Sequence, residues 1–254
     1  MTNILNLTIC LLASHFVGDF LFSGEIDGTS KRRTLIILKH AAIVAGLSYF
    51  LCGAWTSFEI PLLVLVSHTS IDLIKGPLGG KKLHGFLWDQ IAHLIMTILI
   101  AIGVTLQNSM SFYWIEQFHS SYLRNLIFAC GGIITVRTGT FWVAAVVQPF
   151  FAQIQEDDQT GEEGNQSKLS TGGLKGAGSL IGQLERALIF LFIMIDQPMA
   201  IGFLITAKSI LRFGEIKDSH HRRLTEYIII GTMMSFAYGI LTSYLTKILM
   251  NMIT

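Results

Sequence analysis

Several stretches of this chain run for about 18–20 residues with almost no charge, long enough to cross the hydrocarbon core of a bilayer as helices. No other feature restricts the fold as strongly. Backbone amides in lipid must be satisfied internally, which leaves helices or closed barrels, and barrel strands would show ~10-residue alternating segments instead. Charged residues make up 14% of the chain and hydrophobic ones 51%, against ~25% charged in an ordinary soluble domain. The expected fold is all-α: a polytopic transmembrane helix bundle of about six to seven membrane helices, with membrane lipids as surroundings.

The spans are expected over Asn3–Phe22, Thr34–Gly53, Phe58–Lys75 and Phe86–Leu106, a four-helix core within residues 1–106. The first run lacks a basic leading region and carries His15 and Asp19, so it reads as a retained helix and not a signal peptide. Lys31-Arg32-Arg33 follow the first span, and the Gly76–Lys82 loop with Lys81 and Lys82 follows the third. By the positive-inside rule those loops are cytoplasmic and the N-terminus lies outside. Residues 107–151 add one long helix, Tyr122–Phe151, interrupted in character by Gly131-Gly132 and Arg137. An arginine at mid-membrane costs ~2.5–3.5 kcal/mol, so Arg137 should face protein or water, as a partner for backbone carbonyls or a neighbouring acid.

Residues 152–178 are acidic and rich in Gly and Ser, as in a flexible cytoplasmic linker. The run Thr171–Gly178 lacks the Walker spacing and has no strand before it, which argues against a phosphate loop. In 179–254, Ala187–Ala207 is apolar enough to span, yet Lys208, Arg212, Lys217, Arg222 and Arg223 follow it. Asp196-Gln197-Pro198 reads as a helix start, so a broken or re-entrant hairpin is expected at Pro198, before a last helix over Thr225–Met250. A net charge of +1, with no basic stripe clear of the helix ends, argues against a nucleic-acid partner. Cys10, Cys52 and Cys130 have no metal-ligand spacing and read as packing residues.

The chemistry lies in three His/Asp pairs at i, i+4 spacing: His15 with Asp19, His68 with Asp72, and Asp89 with His93. That spacing puts each pair on one helical face. The fourth span runs opposite to the first and third, and its pair is reversed in order. At ~1.5 Å per residue the aspartates form a layer roughly 5 Å inside the cytoplasmic boundary, and the histidines, joined by His40, one roughly 10 Å inside. Imidazole and carboxylate are ligands for Zn²⁺, Mn²⁺ or Fe²⁺, and so large a set suits one divalent metal with outer carboxylates or two ions. His15, Asp19, His68, Asp72, Asp89 and His93 are the candidate metal ligands, and His40 is a ligand or the catalytic general base. Lys75 is a snorkelling anchor or a contact for an anion or head group. A proton or cation pathway and interhelical hydrogen bonds without chemistry are the rival readings. His84, His119, His220 and His221 read as solvated.

The pattern His15-x-x-x-Asp19, His40, His68-x-x-x-Asp72-x-x-Lys75 and Asp89-x-x-x-His93 resembles a bacterial inner-membrane family known as domain of unknown function 3307. Gly182–Arg186, Gln197–Phe203, Ala207–Glu215 and Glu226-Tyr227 are similar to a C-terminal extension of some members. Ser23 departs from the pattern, which places glutamine there. The resemblance implies a bacterial inner (plasma) membrane protein and a possible SatD-type soluble partner. It is distantly similar to membrane proteins described as metal-dependent hydrolases.

The leading expectation is a metal-dependent hydrolase of the cytoplasmic leaflet, acting on a membrane-associated amphiphile. Water on the metal, its pKa lowered toward ~7, would be the nucleophile. A proton- or metal-ion-coupled transporter is the second expectation. The third is a non-enzymatic membrane component that docks a soluble partner through Lys208–Arg223, a segment that also reads as an interfacial amphipathic helix.

Overall fold

The computed structural model describes residues 2–22, 30–78, 83–107, 110–160, 176–213 and 222–253, and all regular structure among them is helical. The helices are α1 (Thr2–Leu21), α2 (Ser30–Cys52), α3 (Glu59–Leu78), α4 (Leu83–Gln107), α5 (Tyr113–Phe118) and α6 (Ser120–Ile133). A π-helical turn (Ile134–Thr138) leads into α7 (Gly139–Thr160), and α8 (Ala177–Met194), α9 (Met199–Phe213) and α10 (Arg222–Met252) complete the series. Six helical stretches among the described residues are long and apolar enough to cross a membrane, as befits a multi-pass membrane protein. α3 is not one of the six, because Ser67, His68, Thr69, Ser70 and Asp72 dilute its apolar content.

Two compact units emerge, one of Met1–Ile133 with Ile248–Thr254 and one of Ile134–Lys247. In the first unit α1 packs on α2, α2 on α3, α3 on α4 and α4 back on α1, which closes a ring, while α6 lies against α1. The ring's apolar core occupies one half of its length: Leu7 and Leu11 of α1, Val44 and Ala45 of α2, Ile60 and Val64 of α3, and Ile100, Ala101 and Val104 of α4. Because α2 and α4 run against α1 and α3, these positions meet at one level and leave the His/Asp residues at the other.

The apolar end is capped by aromatic side chains. Trp114 Nε1 and Tyr122 OH donate to the Phe50 and Leu51 carbonyls, each at 2.7 Å, and the Tyr113 amide donates to the Gly53 carbonyl at 3.2 Å. These carbonyls belong to the last turn of α2 and the residue after it, where no intrahelical donor remains. Tyr49, Phe50, Trp55, Phe58 and Trp114 form a connected ring cluster there, the composition of a membrane–water interface. The sequence pattern had not marked α5.

In the second unit the π turn frees carbonyls from the regular ladder. Arg186 Nη2 donates to the Val136 carbonyl at 3.0 Å and Tyr238 OH to the Ile134 carbonyl at 3.1 Å. Arg186 is buried, and Nη1 also reaches Ser235 Oγ at 2.7 Å. Gly139 makes room for it, since a Cβ there would lie 2.8 Å from Arg186 Nε. Arg137 itself lies exposed on the π turn, and Arg186 is a second arginine, packed against helix carbonyls.

The break expected at Pro198 is present. α8 stops at Met194, Asp196 turns to φ 61°, and α9 starts at Met199. Lys247 donates to the Ile193 carbonyl at 3.0 Å and pairs with Asp196, closing the end of α8. Glu185 and Lys208 pair at 2.6 Å across the turn, so α8 and α9 run antiparallel. Lys208 is therefore committed within the unit and is not part of a free basic surface.

Residue 152, where a linker was expected to start, lies within α7, which continues to Thr160 through a run of helix-forming Ala, Gln and Glu. Likewise α3 extends past Lys75 to Leu78. Ser23, Lys81-Lys82, residues 161–175, and Lys217 with His220 and His221 lie outside the described residues.

Gly18 sets the α1–α2 distance beside Asp19: a Cβ there would stand 2.5 Å from Val44 Cγ2. Valine at helical positions has little rotamer freedom to yield. Gly18→Ala is expected to destabilise the protein by about 1–3 kcal/mol, read as a lower melting temperature in detergent.

Candidate metal centre

The i, i+4 pairs sit where regular helix must put them. α1 carries His15 and Asp19, α2 His40, α3 His68 and Asp72, and α4 Asp89 and His93. All of these residues converge inside the ring of the first unit. His15, His68, Asp89 and His93 are each at most 6% exposed, which lipid-facing side chains would not be. His40, Asp19 and Asp72 are partly buried at its edge. His84 and His119 are exposed, away from this cluster.

One atom is the focus. Asp19 Oδ1 stands 3.2 Å from His40 Nε2, 3.3 Å from His68 Nε2 and 3.5 Å from His15 Nδ1. Three helices thus aim an imidazole nitrogen at a single carboxylate oxygen. Asp72 answers on the other side, with Oδ2 3.7 Å from His68 Nε2 and Oδ1 3.9 Å from His93 Nε2. The rings themselves are in contact: His68 and His93 have centroids 4.2 Å apart, His15 and His93 stack at 4.9 Å, and His40 and His68 lie at 5.0 Å.

These nitrogens are close to acceptors without being well bonded to them. Of the three aimed at Asp19, only His40 Nε2 makes a hydrogen bond. His15 Nδ1, His68 Nε2, His93 Nε2 and Asp89 Oδ1 are buried with no hydrogen-bond partner among the described residues. Buried polar atoms are normally paired, and orphans call for a physical reason. For His93 the tautomer follows from its surroundings. Nδ1 lies 3.0 Å from the Asp89 carbonyl, which can only accept, so Nδ1 carries the proton and Nε2 keeps its lone pair. A ring fixed through one nitrogen and open at the other is how metal-binding histidines are held.

Asp89 is anchored at the rim. Its Oδ2 accepts from Lys75 Nζ at 2.6 Å and from Gln90 Nε2 at 3.3 Å, leaving Oδ1 turned toward His93 Nδ1 at 3.6 Å. Lys75, read from the sequence as an anchor or anion contact, is here an ion-pair partner of a buried carboxylate. Gln90 was not assigned a role from sequence. Its position beside Asp89 was the available signal.

The donor set fits a divalent cation. Tetrahedral ligands about 2.0–2.1 Å from one ion lie about 3.3 Å from each other, close to the spacings around Asp19 Oδ1. Three groupings have ligand atoms all within 4.8 Å of one another: His15, Asp19 and His68; His40, His68 and Asp72; and Asp19, Asp89 and His93. The first two share His68 and the first and third share Asp19. All seven residues enter at least one grouping.

Residues 7–121 match the profile of the family described as Protein of unknown function (DUF3307). Over this segment the chain is similar to that family. The match takes in three quarters of α1, all of α2 to α5, all seven convergent residues, and Lys75 and Gln90; the C-terminal stretches that resemble an extension of the family lie beyond it. No curated protein and no solved structure matches the chain.

Removing the cation from the Lys75–Asp89 pair leaves a carboxylate buried without its counter-charge. Lys75→Met is expected to lower stability by about 1–3 kcal/mol, and adding Asp89→Asn should recover most of that loss. Thermal melts of both variants in one detergent test this.

Proposed function

We propose that the segment matching DUF3307 holds one or two divalent cations and acts as a metal-dependent hydrolase on a membrane-associated amphiphile, close to the cytoplasmic face. The carrying observation is that two buried imidazole nitrogens, His15 Nδ1 and His68 Nε2, stand at ligand spacing from Asp19 Oδ1 with no hydrogen-bond partner among the described residues. Lone pairs converging on a cation account for that arrangement; a hydrogen-bonded network would have filled those positions with donors and acceptors.

In this reading His15, Asp19 and His68 hold one ion, with His93, Asp72 and Asp89 completing that site or forming a second. A bound divalent cation polarises an ester or phosphoryl oxygen and makes water nucleophilic at neutral pH. His40, 14% exposed at its side chain and held by Asp19, is placed to accept the proton of the attacking water. Lys75, 44% exposed, keeps Asp89 oriented and brings a positive charge to the rim, where an anionic head group would arrive.

A transporter would need a polar path through the rest of the ring. Beyond the histidines the interior is filled by Leu7, Leu11, Ile60, Val64, Ile100 and Val104, all buried. That apolar seal favours a blind site entered from one end.

Purified protein supplied with Zn²⁺, Mn²⁺ or Fe²⁺ is expected to retain at least one equivalent of metal. Asp19→Ala with His68→Ala should weaken binding by at least about 100-fold, read by metal analysis after dialysis against a competing chelator. Sub-stoichiometric metal in the intact protein under all three supplies would refute the proposal.

A further inference from the structure

A small cavity lies one helical turn deeper than the histidine rings, on the side away from the carboxylates. It measures about 20 Å³ and is lined by His15, His68 and His93, by the hydroxyl-bearing Ser14, Ser67 and Thr97, and by apolar neighbours. One water needs roughly 10–15 Å³ measured in this way, so the space suits a single molecule.

The two serines determine what that molecule must be. Ser14 Oγ donates its proton to the Leu11 carbonyl at 2.7 Å, and Ser67 Oγ donates its own to the Val64 carbonyl at 3.2 Å. Each hydroxyl has one proton, and both protons are committed to carbonyls three residues earlier in their own helices. What the serines can offer the cavity is therefore acceptor capacity alone. Back-bonding of this kind is common in membrane helices and by itself signifies nothing. Here two such serines, on α1 and α3, line the same small cavity together with three histidines. An occupant that bonds to the two serines must donate to them, and the space suits a molecule the size of water. An ammonium ion would fit by size, but it would bring a charge among Leu11, Val44, Val64 and Ile100, at a high desolvation cost.

We propose that this cavity is a water-binding subsite of the centre, in which Ser14 and Ser67 accept the two protons of one water and turn its oxygen toward the histidine layer. Its role rests on the hydrolase reading above. Hydrolysis adds one water across the cleaved bond in each turnover, and the apolar seal beneath the site gives no other source from that side. A water held at the histidines, with its lone pairs facing them, is a resident reserve for that step. The serines do not touch the reacting bond; they are positioning residues for the water.

The test separates the two ideas. A structure of the intact protein, at a resolution that shows ordered water, is determined with and without Mn²⁺, and bound metal is counted in the same sample. The Ser14→Ala/Ser67→Ala variant is treated identically. The expected result is a water within hydrogen-bond distance of both serine oxygens in the wild type, lost in the variant, whose enlarged cavity is apolar at those positions. Pulsed electron paramagnetic resonance of the Mn²⁺-loaded protein in D₂O should lose one class of exchangeable deuteron in the variant. Metal bound with no water at the two serines overturns this inference alone. Water in place with no metal under any supply retires the hydrolase reading and the role assigned here with it. Should the double variant fail to fold, the wild-type density decides.

Discussion

The first unit depends on the Asp19 carboxylate. A carboxylate taken out of water is costly to hold unless other groups replace its hydration; here His40 supplies one hydrogen bond, and nitrogens of His15 and His68 stand close by at ligand spacing. His15 is supplied by the same turn of α1, His40 by α2 and His68 by α3. The contact therefore works as a joint: α1, α2 and α3 must hold their registers for the three nitrogens to arrive together. Gly18, one residue before the joint, lets α2 come close enough, and Asp89 with Lys75 extends the polar level to α4.

Around that joint the ring is divided by chemistry along its length. Hydrophobic burial gives little driving force between helices inside a membrane, where lipid tails compete as apolar partners. Packing of small side chains, such as Cys10, Ala45 and Ala101, holds one half, all of them buried. Polar convergence holds the other. The second unit solves a comparable problem differently: Arg186 and Tyr238 serve the carbonyls of the π turn, and a Glu185–Lys208 pair bridges α8 and α9.

The site was largely legible in the sequence because it obeys helical periodicity. A reversed His/Asp order in an antiparallel helix can only mean a shared level, whatever the exact helix ends. The break at Asp196–Pro198 was legible for a similarly local reason, the conformational restriction of proline. What escaped depended on long-range partners. α5 is short, and it is held by bonds from Trp114 and Tyr113 to residues some sixty positions earlier. The burial of Arg186 depends on its partners Val136 and Ser235, some fifty positions away in the chain. Gln90 carried no pattern of its own. The end of α7 was misplaced because an acidic, Gln-rich run serves equally well as solvated helix and as linker.

The aromatic cap has a bearing on where the polar level sits relative to the lipid. Phe58, in that cap, and Asp72 lie on one rigid stretch of chain, fourteen residues and so roughly 20 Å apart at the rise of an α-helix. Tryptophan and tyrosine rings fix that end to one head-group layer. With that end held in a head-group layer, the carboxylates stand at a set distance from that interface and not from the nearer one. A thicker bilayer would draw them further beneath the nearer interface and a thinner one would lift them toward it, which makes acyl-chain length a natural variable in how accessible this centre is.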